Sequence, residues 1–164
     1  VQSYGSTGSG FCMNTSNTNS GGWKNSYMMK TICPAFLNAL PAAWRNAIKN
    51  CTKYSDNTGG GNDTASYVTA TTQKIFLLAE FEVHGTRYYA NSAEKNYQKQ
   101  YDYYKNGNSK VKYQHSSTGS ACIWWLRSVY ASNATYFCRV YTDGGAYPDS
   151  AYFSIGFAPG FKAA

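Results

Sequence analysis

The side chains able to do covalent or metal chemistry in this chain are few and scattered. The five cysteines are Cys12, Cys33, Cys51, Cys122 and Cys138, so at least one thiol stands outside any intrachain disulfide. No C-x-x-C pair occurs, and His84 and His115 are isolated. A structural zinc site shows paired ligands at short spacing, so no metal and no other cofactor is expected. Phe11-Cys12, Ile32-Cys33 and Phe137-Cys138 place thiols beside apolar residues, where cysteine acts as a small buried hydrophobe. Asp56 to Asp63 is glycine-rich but lacks the Gly-Lys-Ser/Thr of a phosphate-binding loop, and reads as a surface connection. A calcium-held sugar needs clustered carboxylates and amides. Between Gly119 and Phe161 the acidic residues are Asp143 and Asp149 alone, so that chemistry is not expected either.

What remains is the chemistry of tyrosine. Ser128 to Ile155 reads SVYASNATYFCRVYTDGGAYPDSAYFSI, with Tyr130, Tyr136, Tyr141, Tyr147 and Tyr152 set among Ser, Asn, Asp, Gly and Ala. Lys, Glu, Gln, Met and Trp are missing from it. Tyrosine offers a large amphipathic contact at low entropic cost, and short polar residues adapt around it. Tyrosines on edge strands are also ordinary β residues. The polar residues between them and the Tyr147-Pro148-Asp149-Ser150 loop favour a recognition surface.

The rest of the composition agrees with a folded domain. Of 164 residues, 43% are hydrophobic and 17% aromatic, which excludes disorder, and 16 residues are tyrosine. No apolar run is long enough to span a membrane, and no basic–apolar–small signal pattern is visible. The net charge of +7 raises nucleic acid as a partner. Lys95, Lys99, Lys105, Lys110 and Lys112 with Tyr101, Tyr103 and Tyr104 would be its stripe. No arginine cluster, RNP-type strand or helix-turn-helix pattern accompanies them, and a solvated helix face accounts for the lysines.

The elements that must position these groups follow from local signals. Residues 1–22 are rich in Gly, Ser, Thr and Asn and read as a flexible leading segment or linker end, with the folded domain at 23–164. Trp23 to Thr31 reads as a short helix stopped at Pro34, with further turns over Pro34–Leu40 and from Pro41 to Ala47. Ile48 to Tyr54 alternates as a strand, and Lys74 to Ala79 reads as a central strand. Asn91-Ser-Ala-Glu94 has the form of a capping box opening a helix over 92–105. Tyr97, Tyr101 and Tyr104 would form its core stripe, and Asn106-Gly107 its end. Strands are expected at Ile123–Leu126, Tyr136–Tyr141 and Ala151–Phe157, with a turn at Asp143-Gly144-Gly145. Helices first and strands last give an α+β class.

Trp124-Trp125-Leu126-Arg127-Ser128 resembles the W-W-x-R-S opening of a domain common in gut Firmicutes and their prophages, and Gly156-Phe157-Ala158-Pro159-Gly160-Phe161 resembles its close. Trp23, Lys74-Ile-Phe-Leu-Leu-Ala-Glu80 and the Asn91–Tyr104 segment are similar to its first half. The closing half also resembles the variable proteins of diversity-generating retroelements, whose C-type-lectin-like fold is related to the formylglycine-generating enzyme. The resemblance implies a C-type-lectin-like fold with short amino-terminal helices and a carboxy-terminal β-rich ligand-binding block. It also implies diversification by mutation at template adenines, which turns Asn codons into many residues but not Lys, Glu, Gln, Met or Trp.

On this resemblance the fixed frame comprises Trp124, Trp125, Arg127, Ser128, Phe137, Cys138, Val140, Asp143, Gly144 and Gly156 to Phe161. One of the two tryptophans is expected in the core and the other beneath the site. Arg127 is expected to pair with Asp143 or to donate to backbone carbonyls. The variable, ligand-binding positions are Leu126, Val129, Tyr130, Ala131, Tyr136, Arg139, Tyr141, Ala146, Tyr147, Pro148, Asp149, Ser150, Tyr152 and Ser154. The expected protein is a non-enzymatic domain without cofactor, binding a protein or glycan receptor. It would sit on a phage tail tip or a bacterial surface as part of a longer protein, with no nucleic acid and no membrane insertion. Two alternatives are an enzyme of the formylglycine-generating type acting through Cys138, and a nucleic-acid module using the basic first half.

Overall fold

A computed structural model describes residues 10–115 and 117–163. Order begins well before Trp23. Phe11 forms an antiparallel bridge with Ile155, Met13 is fully buried, and Met13 and Asn14 both donate their amides to Ala151 O at 2.9 Å. The described part of the 1–22 segment is thus built into the domain. Its polar residues are ordered by hydrogen bonds where a hydrophobic pattern is lacking.

A π-helical turn over Met28–Ile32 runs directly into α1, Cys33–Ala39. Pro34 does not stop this helix; it lies in the first turn of α1, where no amide hydrogen is needed. Pro41 caps α2, Ala42–Ala47. The expected strand from Ile48 is split into β1, Ile48–Lys49, and β2, Cys51–Asp56. β2 pairs in antiparallel register with β3, Val68–Gln73, and β4 is only Ile75–Phe76. The central strand expected over 74–79 is therefore an edge of a small sheet, ordered β1-β10-β4, in which β10 is Gly160–Ala163. Leu77 and Ala79 still belong to the core.

Glu80–His84 forms α3, closed by Gly85 at φ 71°. Asn91 caps the next segment as expected, its side chain accepting the Ala93 amide at 3.1 Å. The helix does not continue. A 3-10 turn over Ser92–Asn96 ends at Tyr97, and α4 is only Asp102–Lys105. Tyr104 is buried, but Tyr97 and Tyr101 are exposed, which corrects the expected core stripe. Tyr97 instead stacks on Tyr54, with ring centroids 4.4 Å apart.

β5, Lys112–Gln114, pairs with β6, Ser117–Cys122. The last sheet is antiparallel, ordered β7-β8-β9, from Trp124–Val129, Tyr136–Val140 and Ala146–Ser150. β9 is its edge and carries Pro148. The third strand thus precedes the expected Ala151–Phe157, which contributes only isolated bridges at Ile155 and Gly156. The architecture is α+β.

Both faces of β7 are covered. Trp125 and Val129 join Trp23, Met28, Leu77, Phe137 and Ile155 in one apolar cluster. Trp124 and Leu126 join Phe81, Val83, Tyr104, Cys138 and Val140 in another. Both tryptophans are core residues; their indole N–H groups donate to Lys110 O at 3.1 Å and Phe11 O at 2.8 Å. Among the described residues no helix is long and apolar enough to cross a membrane.

Candidate ligand-binding face

The sheet is held in place by buried charge. Arg127 is completely buried and forms a two-pronged pair with Glu82, Nη1 to Oε2 at 2.5 Å and Nη2 to Oε1 at 3.0 Å. It also donates to Ser55 Oγ at 2.7 Å and Leu77 O at 2.8 Å. The carbonyl contact is as expected, but the ionic partner is Glu82 and not Asp143. Lys53 lies 3.1 Å from the same carboxylate. Burial alone would raise the Glu82 pKa, yet Arg127, Lys53 and the Ala79 amide together hold it at about 2. Ser128 donates to Glu94 Oε2 at 2.7 Å, and the Asp56 amide donates to Glu94 Oε1 at 3.0 Å. Glu94 therefore does not reach back to complete a capping box. Its complete burial pushes its pKa up to about 7, against the lowering effect of these hydrogen bonds.

Two anchors carry this rigidity outward. The fully buried Glu80 carboxylate accepts the amides of Tyr88, Tyr89 and Ala90, each at 2.9 Å to Oε1, and so fixes the turn that presents Tyr89. Asn19, also fully buried, donates to Asn133 O at 2.7 Å and Tyr136 O at 2.8 Å while accepting the Gly60 amide at 2.8 Å. It clamps the β7–β8 turn to the glycine-rich loop. That loop is more than a surface connection: a Cβ on Gly59, at φ +67°, would lie 2.0 Å from Asn19 O.

On this support lies an aromatic and charged face. Arg139 and Tyr147 are cross-strand partners, as are Phe137 and Asp149, so Arg139, Tyr147 and Asp149 share one face of the sheet. Arg139 Nε stands 2.8 Å from Asp149 Oδ2, an ion pair not aligned as a hydrogen bond. The guanidinium carbon lies 5.1 Å from the Tyr141 ring centre and 5.8 Å from that of Tyr147. The two rings meet edge-on at 5.4 Å and are both exposed. In a separate group Tyr130 stacks on Tyr136 at 6.4 Å, and Tyr89 packs edge-on against Tyr130 at 5.2 Å. Partial burial, then the phenols of Tyr130 and Tyr147, raise the Tyr89 pKa.

The fourteen expected positions divide accordingly. Arg139, Tyr141, Tyr147 and Asp149 form one cluster, and Tyr130 and Tyr136 form another with Tyr89. Tyr152 is exposed and meets Phe153 at 4.9 Å. Ala146, Pro148, Ser150 and Ser154 are half-buried. Leu126, Val129 and Ala131 are not on the surface; they are 0%, 0% and 2% exposed, inside the packing around β7. Their assignment to the site is corrected, because β7, which holds Leu126 and Val129, is covered on both faces, and Ala131 just beyond it is buried with its amide donating to Tyr89 O at 2.9 Å. Tyr89, Glu80 and Asn19 are additions. The run Tyr88-Tyr89 was a visible signal; the roles of the other two depend on long-range backbone contacts.

Residues 11–162 match the family described as Domain of unknown function (DUF6273). The chain belongs to the DUF6273 family. No curated protein and no solved structure matches it. In this DUF6273 domain the five cysteines are free thiols. Cys138 is fully buried, its thiol is 3.7 Å from Val129 O, and burial followed by the nearby Glu80 and Glu94 pushes its pKa well above the ordinary value. A protonated, inaccessible thiol is not a nucleophile. Among the described residues no cluster of three His, Cys, Asp or Glu could hold a metal ion.

Proposed function

We infer that this DUF6273 domain is a non-enzymatic ligand-binding domain that recognises a protein or glycan receptor through the β8–β9 face and its flanking turns. The observation that carries this reading is the arrangement of Arg139 against Asp149 and between the exposed rings of Tyr141 and Tyr147. Arg and Tyr are the residue types that dominate recognition surfaces. Stacking on a sugar ring or a peptide side chain would use Tyr141, Tyr147 and Tyr152, with Tyr136 at the rim and Asp149 accepting hydrogen bonds. Arg139 Nε and Nη1 are buried and have no hydrogen-bond partner among the described residues, so the guanidinium is not fully committed within the domain.

The frame resembles that of C-type-lectin-like variable proteins in its W-W-x-R-S opening and its closing Gly-Phe-Ala-Pro-Gly-Phe, and retroelement diversification of the face belongs to the same proposal. The implied setting is a phage tail tip or a bacterial surface, within a longer protein. The physical logic is that Trp125, Phe137 and Arg127 lock the backbone from inside, so outward side chains change without unfolding it.

Sequencing the DNA around the coding region tests the reading. A non-coding copy of the 126–154 segment, altered only at adenines and beside a reverse transcriptase gene, is the expected result. The altered codons should include Tyr136, Arg139, Tyr141, Tyr147, Asp149 and Tyr152 and spare Leu126, Val129 and Ala131. Alterations concentrated in those three core codons would refute it. Independently, replacing Tyr141 and Tyr147 with Ala should leave the melting temperature nearly unchanged; a large loss would make the tyrosines structural.

A further inference from the structure

A second surface, sharing no lining residue with the tyrosine-rich face, has the chemistry of a binding site. The interrupted segment 92–105 and the loop after α3 enclose an open cleft of about 710 Å³. Arg87, Lys95, Lys99 and Lys105 line it, against a single carboxylate, Asp102. Arg87 is already paired with Asp63 at 2.9 Å, but Lys95, Lys99 and Lys105 make no ion pair among the described residues. All three lysines are exposed. Because 92–105 is not one continuous helix, they are gathered around a hollow and do not lie along a solvated helix face.

The cleft also holds acceptors. Gln98 lines it, is 7% exposed, and has an Oε1 with no hydrogen-bond partner among the described residues. Asp102 adds a carboxylate at the wall. A second hollow of about 370 Å³ shares Lys95, Gln98 and Lys99 with the first and is walled by Tyr54 and Tyr97, the stacked pair. Tyr97 is 54% exposed, an open ring face beside the lysines.

We propose that this paired hollow binds an acidic oligosaccharide, with its anionic groups on Lys95, Lys99 and Lys105, its hydroxyls donating to Asp102 and Gln98, and one sugar ring on Tyr97. A nucleic-acid backbone supplies anions and stackable bases but at most one hydroxyl per nucleotide unit to donate to Asp102 and Gln98. A sugar chain carrying carboxylates or sulfates satisfies cations, acceptors and the tyrosine platform together.

The test is isothermal titration of the whole chain with a galacturonate tetrasaccharide, a sulfated tetrasaccharide, a neutral maltotetraose and a ten-residue oligothymidylate. One of the two acidic sugars is expected to bind with Kd below about 1 mM, and the neutral sugar at least about tenfold more weakly. A Lys95→Gln/Lys99→Gln/Lys105→Gln variant should lose that binding with an unchanged melting temperature. The charge-matched Lys24→Gln/Lys30→Gln/Lys162→Gln variant should keep it. Carboxylate and sulfate sources are distinguished by which acidic sugar binds. No binding of either acidic sugar, equal binding of the neutral one, tighter binding of the oligothymidylate, or equal loss in both triple variants would overturn the proposal.

Discussion

Replacing Arg127 with Met removes the charge around which the sheet is assembled. The side chain is completely buried and holds Glu82, itself 5% exposed, by two contacts. Without it the carboxylate keeps Lys53 at 3.1 Å and the Ala79 amide at 2.9 Å, while Leu77 O loses its side-chain donor. Leaving one member of a buried pair costs about 3–5 kcal/mol. At about 2–4 °C per kcal/mol for a domain of this size, the melting temperature should fall by roughly 6–20 °C at pH 7. Calorimetry across pH separates the ion pair from lost packing. The folded Glu82 pKa is lowered to about 2 from an ordinary 4.5, so its stabilisation is present above pH 4.5 and lost as pH falls toward 2. The gap between wild type and Arg127→Met should therefore narrow over that window. A penalty under about 1 kcal/mol, or a gap constant down to pH 2, would refute the reasoning.

Glu94→Gln should show the opposite pH sense. The folded carboxyl is raised to about 7, so its favourable protonated form is present below 4.5 and lost as pH rises through 7. Wild type should lose stability relative to the variant over that interval in paired thermal melts. The difference between the two proteins is the right observable, because burial lowers the His84 pKa to about 4 and that group contributes stability in the reverse direction. Gly59→Ala should cost at least about 2 kcal/mol in denaturant unfolding, since the backbone is left-handed there and the Cβ meets Asn19 O. A neutral result would mean that the loop does not clamp Asn19.

The sequence resolves the parts of this fold governed by neighbours. Asn91 caps its turn, Pro41 begins α2, and Asp143-Gly144-Gly145 closes the β8–β9 turn, with the Gly145 amide donating to Asp143 Oδ1 at 2.7 Å. What it conceals is set by distant polar partners. Glu94 and Gln98 carry helical spacing but are drawn into the network of Asp56, Ser128 and the Tyr54 carbonyl, and the helix breaks between them, at Tyr97. The partners of Arg127 and Ser128, Glu82 and Glu94, lie 45 and 34 residues away and are brought to them only by the fold. Pro148 masks β9, while the apolar alternation of 151–157 imitates a strand that the chain spends on core packing. Tyr141, Tyr147 and Tyr152 stand out by composition, whereas Arg139 enters only by its position within the resemblance. Leu126, Val129 and Ala131 were placed with them by position, and only their burial in and just beyond β7 removes them.

If the β8–β9 face binds a partner as proposed, the edge strand β9 gives that recognition a particular economy. Proline supplies no amide hydrogen, and an edge interrupted by Pro148 and flanked by the charge of Asp149 is a poor template for an added strand. A partner is thus denied the main-chain handshake that would bind any extended peptide alike. Its grip must come through side chains. On the proposed reading, specificity at this rim would be written in exchangeable letters, with the choice of partner left to Tyr141, Tyr147 and their neighbours.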